Sequence, residues 1–495
     1  MSDSDSDTTG TTGTTGPTDD AEHSDDSAAV LAPLDGRLAD LVALYEDLHR
    51  HPELGFQETR TAAEAARRLT GCGYDVTTGI AKTGVVGVLR NGPGPVVLLR
   101  ADMDALPVTE ESGLDYASTV PGRMHACGHD VHVTCLLGAA DLLAAARDRW
   151  SGTLVVLFQP AEEVGSGARA MLDAGLYSKG LVPTPDVVLA QHVAPFGAGL
   201  IAYCPGPCMA AADSLEITFH GTGGHGSRPE TTVDPILMAA AFVQRVQSVV
   251  AREVAPKDRA VVSAGSFHAG DTANVIPDRA VVRLSVRTFD ETVRTAVLAA
   301  IDRIARAEAA ASGADRAPET EILDSFPVTV NDSATLHQVN EQFTGLFGEQ
   351  RLFAYEPATG SEDAGLLATA AGAPLYYWWL GGWDPEEFRT ALAAGRLAQD
   401  IPSNHSPHFV PVVRPTLTMG VQALTAAALN QLAPADTNPK TDTDTNPKTD
   451  TDAKTKTDTD AKTKTDTDAK TKTDTDTAPV EATGRAGRGG AAASV

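Results

Sequence analysis

The chain has 495 residues and carries 66 Asp and Glu against 39 Lys and Arg, a net charge of −27, which argues against nucleic acid or an anionic membrane as a partner. No apolar run reaches the roughly 18 residues of a membrane span, and the first residues lack the basic-then-apolar pattern of a secretory leader. Five cysteines in no framework spacing exclude a disulfide scaffold and point to reduced thiols in the cytoplasm.

Residues 1–28 hold eight acidic side chains and no Lys or Arg, a composition expected to stay disordered. Residues 433–495 read as a second disordered tail. Within it, 437–476 repeat TNPKTDTD twice and AKTKTDTD three times, with no large aliphatic or aromatic side chain to build a core. The folded body is therefore 29–432. Its only lysines are Lys82, Lys179 and Lys257, a composition that fits a salt-rich cytoplasm and a GC-rich genome equally.

Leu31, Leu34, Leu38, Leu41, Leu44 and Leu48 recur at helical spacing, which predicts a helix over 29–50. His49, Arg50 and His51 then precede a turn at Pro52 and Gly55, where helix-end and surface roles fit better than a site. A second helix is expected over 58–69 and a strand over 85–89. The buried-type strand 96–102 runs into Asp102-Met103-Asp104, and carboxylates at a strand's carboxyl end stand where open α/β sheets bind ligands. Either Asp can orient a metal-binding imidazole or serve as a plain helix cap.

Residues 124–132, Met-His-Ala-Cys-Gly-His-Asp-Val-His, concentrate three imidazoles, a thiol and a carboxylate. Read as extended chain, they send His125, Cys127 and His129 to one side, where they can close on one metal or a pair. The bland alternative is a buried Cys among core histidines. After a helix over 131–147, the buried strand 153–159 ends at Pro160 and delivers Glu162-Glu163. Adjacent glutamates point in different directions, so one can bind metal while its neighbour takes a proton from water. The strand 186–191 delivers His192 in the same way. Cys204-Pro-Gly-Pro-Cys208 resembles half a metal site but has no second pair, and is read as structural.

Strands with polar–apolar alternation then appear at 215–220, 260–267 and 280–288, with helices over 235–252 and 290–311. Residues 213–327 thus form an α+β domain of β-α-β-β-α-β type inserted between 29–212 and 328–432. The glycine-rich turn around His225 lacks the Lys-Ser/Thr of a phosphate loop. Beyond the insertion come a helix over 335–346, a strand over 374–380, the polar loop 404–409 with His405 and His408, and a closing helix over 416–432.

The blocks HRHPELGFQE, RADMDALPV, MHACGHDVH, FQPAEE, QHV, GGHGSRP, NVIPD, GSEDAG and NHSPHF, in this order, resemble the M20 metallopeptidase family over residues 37–430. Within that family they resemble the amidohydrolase branch of hippurate hydrolases, N-acyl-amino-acid deacylases and auxin-conjugate hydrolases. The resemblance implies a two-domain α/β fold: a mixed-sheet, zinc-peptidase-like catalytic domain with an inserted ferredoxin-like lid that also makes a homodimer. It implies two divalent metal ions per chain, zinc or manganese with cobalt or nickel also accepted, held by Cys127, His129, Glu163, His192 and His405. Glu162 becomes the general base, Asp104 an orienting carboxylate, His225 an oxyanion donor in the partner's site, and Asn274 and Arg287 substrate ligands. The implied reaction is attack of metal-activated water on the amide of an N-acyl amino acid, giving a carboxylic acid and a free amino acid. An aminoacylase or dipeptidase of the same family is the alternative within the class, and a non-catalytic binder of acyl amino acids the alternative outside it. The departures from the family pattern are the tails and an insertion within 379–401, where the substrate gate would differ.

Overall fold

The computed structural model describes residues 27–435, and the two expected tails lie outside them except at their inner ends. There the body reaches further than expected. Residues 27–31 are already helical, and the Ser27 hydroxyl accepts from Gln342 Nε2 at 2.8 Å. Ala433–Pro434 pairs with the start of strand Trp150–Gln159. The first helix is interrupted at Pro33, which lacks the N–H to continue it, and resumes as Leu34–Arg50.

A nine-stranded mixed sheet carries the fold. Its order is Asp75–Ile80, Gly84–Asn91, Trp150–Gln159, Val96–Asp102, Val187–Gly197, Leu375–Trp383, Ile201–Tyr203 and Leu352–Ala354, with Ala433–Pro434 on the third of these. The four strands 150–159, 96–102, 187–197 and 375–383 run parallel to one another. Both faces of these strands are covered, which is why they read as unbroken apolar runs. Val97 and Leu99 enter the core shared with helices Leu34–Arg50, His129–Ala145 and Val413–Gln431, while Leu98 enters a second core with Ala168, Met171 and Leu367 on the opposite face. Helix 129–145 is buried nearly all round. Gly138 permits this: a Cβ there would stand 2.7 Å from Val421 Cγ2 and 3.0 Å from Leu41 Cδ1.

Residues 211–326 form a separate layer pair with its own core around Phe219, Phe242, Val282 and Ile301. Strands Ala260–Ala269, Arg279–Thr288, Ala211–His220 and Glu319–Phe326 lie in that order and are antiparallel throughout. This is the second-third-first-fourth order of a ferredoxin-like βαββαβ unit. Its helices Pro235–Ser248 and Glu291–Ala311 start on Asp234 and Asp290, whose side chains accept from first-turn N–H groups. Strands 75–80 and 319–326 escaped the sequence reading because both are edge strands with largely polar, exposed residues. The stretch after the strand ending at Trp383 folds into helices Pro385–Ala393 and Leu397–Asp400.

Candidate metal centre

The carboxyl ends of the parallel strands gather the polar residues, as open α/β sheets do. Strand 96–102 ends in Asp102, with Asp104 two residues on; strand 150–159 is followed by Glu162 and Glu163; strand 187–197 carries His192. Residues 125–128 do not run on as extended chain. Met124 still pairs with Leu106, but 125–128 form a turn, and Gly128 at φ 79° opens helix His129–Ala145. The turn breaks the alternation, so Cys127 and His129 converge while His125 does not: it is buried with neither ring nitrogen hydrogen-bonded. Burial pulls its pKa down to about 4. The expectation that His125 shares a face with the other two is therefore corrected.

Cys127, His129 and Glu163 bring ligand atoms within 4.8 Å of one another. His192 Nε2 lies 3.5 Å from Cys127 Sγ, and His405 Nε2 lies 3.3 Å from Glu163 Oε2. Three hydrogen bonds to backbone carbonyls hold these segments together. Asn404 Nδ2 donates to Cys127 O at 3.3 Å and Val193 O at 3.1 Å, and His405 N donates to Ala126 O at 2.8 Å. His405 adopts φ 71° and is the outermost of the five, with 56% of its side chain exposed.

Hydrogen-bond partners assign the ring nitrogens. His129 Nδ1 faces Asp104 Oδ1 at 3.2 Å, and His192 Nδ1 faces Val193 O at 2.8 Å, so each Nδ1 carries the proton and each Nε2 a lone pair. The lone pair of His129 looks onto Glu163 Oε1 and Asp102 Oδ2, each at 3.7 Å, and Glu162 Oε2 at 4.0 Å. His129 Nε2 and Glu163 Oε1 are both buried without a hydrogen-bond partner. An imidazole nitrogen ringed by acceptors is stable only around a cation, a proton in the free protein or a metal ion in its place. A divalent ion fits this donor set, since thiolate, imidazole and carboxylate are all metal ligands.

The local electrostatics say the same. Burial, together with Glu163, Glu162 and Asp102, pushes the Cys127 thiol well up. Burial raises Glu163 to about 7 despite His129. Burial and the carboxylates Glu362, Glu163 and Asp363 push Glu162 well above the usual range. Burial alone would lower His129, yet Asp102, Asp104 and Glu163 raise it to about 10. Carboxylates are in excess at this centre, and divalent ions held there would supply positive charge in place of these protons.

Behind the converging groups stands a saturated layer that sequence reasoning missed. His132 Nδ1 donates to Asp102 Oδ1 at 2.5 Å, and its Nε2 accepts from Val193 N at 2.7 Å. Although His132 clusters with Asp102, His129 and His192, it has no lone pair left for a metal. Arg100, fully buried, binds Asp102 at 2.7 Å, Glu362 at 2.8 Å and Gln159 at 3.0 Å. Asp104 also holds the turn after strand 150–159, accepting from Glu163 N at 3.0 Å; neither Asp102 nor Asp104 caps a helix. His49 is not a surface residue: it is fully buried, with Nδ1 2.6 Å from Asp130 Oδ2. The signal that finds this layer is a polar residue inside an otherwise apolar run, such as Arg100 in its strand.

The remaining candidates sit elsewhere. His225 is exposed on a short ribbon paired with Val275–Ile276, its Nδ1 accepting from Ser227 N at 3.1 Å. Asn274 lies beside it, its carbonyl accepting from Gly226 N at 2.8 Å. Arg287 donates from strand 279–288 to Ser361 Oγ at 2.5 Å and Thr359 O at 3.3 Å, on the loop that carries Glu362 and Asp363. Cys204 and Cys208 are buried and unpaired, and Cys208 Sγ donates to Thr329 O at 3.3 Å, which agrees with a structural role.

The sequence profile of Peptidase family M20/M25/M40 matches residues 98–391. Hippurate hydrolase of Campylobacter jejuni is 42% identical over 323 residues, 65% of this chain and 82% of that protein. Thermostable carboxypeptidase 2 of Saccharolobus solfataricus is 37% identical over 347 residues, 69% of this chain and 85% of that protein. The crystal structure of the Bacillus subtilis YXEP protein, a dinuclear metal binding peptidase from the M20 family, is similar with a TM-score of 0.65. It is 31% identical, covering 80% of this chain and 98% of that one.

Proposed function

Because the chain belongs to peptidase family M20/M25/M40 and is a hydrolase of amide bonds, we propose that it cleaves N-acyl amino acids to a carboxylic acid and a free amino acid. The observation that carries this is the convergence of the His129 and His192 Nε2 atoms with the Cys127 thiol and the Glu163 carboxylate, where His129 Nε2 and Glu163 Oε1 are buried without a hydrogen-bond partner. Cys127, His129, Glu163, His192 and His405 are the residues that would hold two divalent ions. The thiolate favours zinc, while imidazole and carboxylate also accept manganese, cobalt or nickel. Bound there, such ions polarise the scissile carbonyl and lower the pKa of water.

Glu162 stands beside this set without being needed as a ligand. It accepts the proton of the attacking water as the amide carbon becomes tetrahedral, and returns it to the leaving nitrogen. Asp104 fixes the His129 ring and the Glu163 backbone. Arg287 and Asn274 bind the substrate carboxylate or the developing oxyanion. His225 steadies the oxyanion from a partner subunit, in a homodimer made through the inserted lid 213–327. No helix among the described residues is long and apolar enough to cross a membrane, and all five cysteines are unpaired, in keeping with a cytoplasmic enzyme.

The likeness to a carboxypeptidase favours a second reading, a peptide substrate. Rates on N-benzoylglycine, a set of N-acetyl amino acids and a set of dipeptides, measured side by side on metal-loaded protein, separate the two. N-acyl substrates should be turned over at least about tenfold faster in kcat/KM, a difference of about 1.4 kcal/mol in transition-state binding. Faster dipeptide cleavage overturns the assignment. Stabilisation by acyl amino acids without any product would make the protein a binder.

A further inference from the structure

We propose that Glu58 is a positioning residue that sets the direction in which Glu162 and Glu163 leave the central sheet. The proposal rests on the reading of those two glutamates given above. Strand 150–159 ends at Gln159, and the chain must then turn sharply to bring two carboxylates into the centre. It does so at Ala161, a buried alanine at φ 51°, a left-handed conformation that side chains other than glycine avoid. Such a residue persists only where its surroundings hold it.

Glu58 is what holds it. Its Oε1 accepts from Ala161 N at 2.8 Å and from Phe56 N at 3.0 Å. Phe56, at φ 60°, is itself a left-handed non-glycine residue, so one carboxylate oxygen anchors two strained amides. Oε2 accepts from Thr83 Oγ1 at 2.6 Å. Glu58 is fully buried. It precedes helix Thr59–Gly71, where an acidic residue would ordinarily cap the free N–H groups, but its side chain makes no cap. Glu53 serves instead, accepting from Arg60 N at 3.0 Å and Thr61 N at 2.9 Å. Glu58 is thus free to bind Ala161. Gly55 lets the turn lie flush on that residue: a Cβ there would stand 3.1 Å from Ala161 Cβ. On the far side Asp104 Oδ2 accepts from Glu163 N. The three-residue segment that presents both glutamates is therefore pinned at each end by a buried carboxylate from another element.

The test compares wild type with Glu58→Gln, Glu58→Ala and Glu58→Asp, reading amide hydrogen exchange of peptides spanning 160–166, metal content and steady-state rates. Gln keeps an acceptor for both amides. Ala removes it, and Asp, one methylene shorter, withdraws it, so Asp decides the matter should the Ala variant not fold. In the Ala and Asp variants the 160–166 amides should exchange at least about tenfold faster, with peptides in 260–269 unchanged. kcat should fall about 100-fold, as for roughly 1 Å of misplacement, with KM within about threefold. Gln should restore both readouts to within about threefold of wild type. Ala161→Gly, which tolerates the left-handed turn unaided, should recover part of the loss in the Ala or Asp background. Unchanged exchange at 160–166 in both variants overturns the proposal, whether or not a substrate has been found. Lack of turnover by wild type with the exchange pattern intact would count against the proposed function alone.

Discussion

Two layers of histidine stand at the carboxyl ends of the central strands, a few ångströms apart, and they differ in how their nitrogens are used. In the outer layer, His129 and His192 each have one nitrogen satisfied and the other facing thiol or carboxylate. In the inner layer, His132 has both nitrogens hydrogen-bonded, and His49 lies between Asp130 and Glu110 at 2.6 and 3.3 Å. His129 and His132 belong to one motif, stacked at 5.3 Å between ring centroids, and only their hydrogen bonds tell the candidate metal ligand from the strut. The inner layer fixes what the outer leaves open: His132 holds the Val193 amide next to His192, and Asp130 joins His49 to the helix that begins with His129.

Removing an outer ligand should break this contrast most sharply. His129→Ala or Glu163→Ala is expected to lower bound metal below two ions per chain and kcat/KM by about 10³-fold or more, measured by elemental analysis beside steady-state rates. His132→Gln or Asp102→Asn should leave two ions bound at saturating metal while weakening affinity or activity about 10- to 100-fold, as for groups that orient ligands. If His132→Gln instead loses an ion outright, His132 belongs to the outer layer.

Much of the outer layer was legible in the chain because each member follows a visible landmark. Glu162 and Glu163 come after a buried strand and Pro160, His192 ends another buried run, and Cys127 and His129 sit where imidazoles, a thiol and a carboxylate crowd into nine residues. What the chain hid were residues whose roles are set by tertiary partners. His49 looks like a helix-end cation, yet Asp130, 81 residues away, makes it a buried ion pair. Glu58 looks like a cap, and Arg100 is a charge inside a strand whose partners Glu362 and Asp363 come 262 and 263 residues later. The extended reading of 125–129 failed at Gly128, where the tight turn that a glycine permits, at φ 79°, leads straight into the helix and breaks the alternation. Among the strands given no range, 75–80 and 319–326 have exposed polar faces and gain their order from pairing rather than from burial, and 201–203 and 352–354 are too short to show a pattern.

The inner layer should also leave a mark on stability. Burial pulls the His49 pKa down, but Asp130 and Glu110 outweigh it and raise it from the usual 6.5 to about 9. The folded state therefore binds the proton more tightly than the unfolded chain. The stabilisation is full below about pH 6.5 and is lost as pH rises through about 9. Denaturant titrations should show wild type losing on the order of 2 kcal/mol more than His49→Gln between those limits; parallel pH profiles would remove His49 from the charged layer. At the other extreme, the Arg283–Glu216 pair at 2.8 Å on the outer face of the second sheet is largely solvated. Arg283→Ala should change stability by about 0.5 kcal/mol or less in the same titration, and a larger loss would mean that this face is covered in solution.

The distinction between residues that hold metal and the residue that moves the proton is tested most directly by Glu162→Gln, with metal counted and turnover measured on the same metal-loaded samples. The expected result is about two ions per chain in both proteins and a kcat lower by about 10³-fold in the variant, within the range for loss of a general base. A variant that loses its metal, or that keeps both ions and turns over within about tenfold of wild type, would contradict the assignment of Glu162 as the proton carrier.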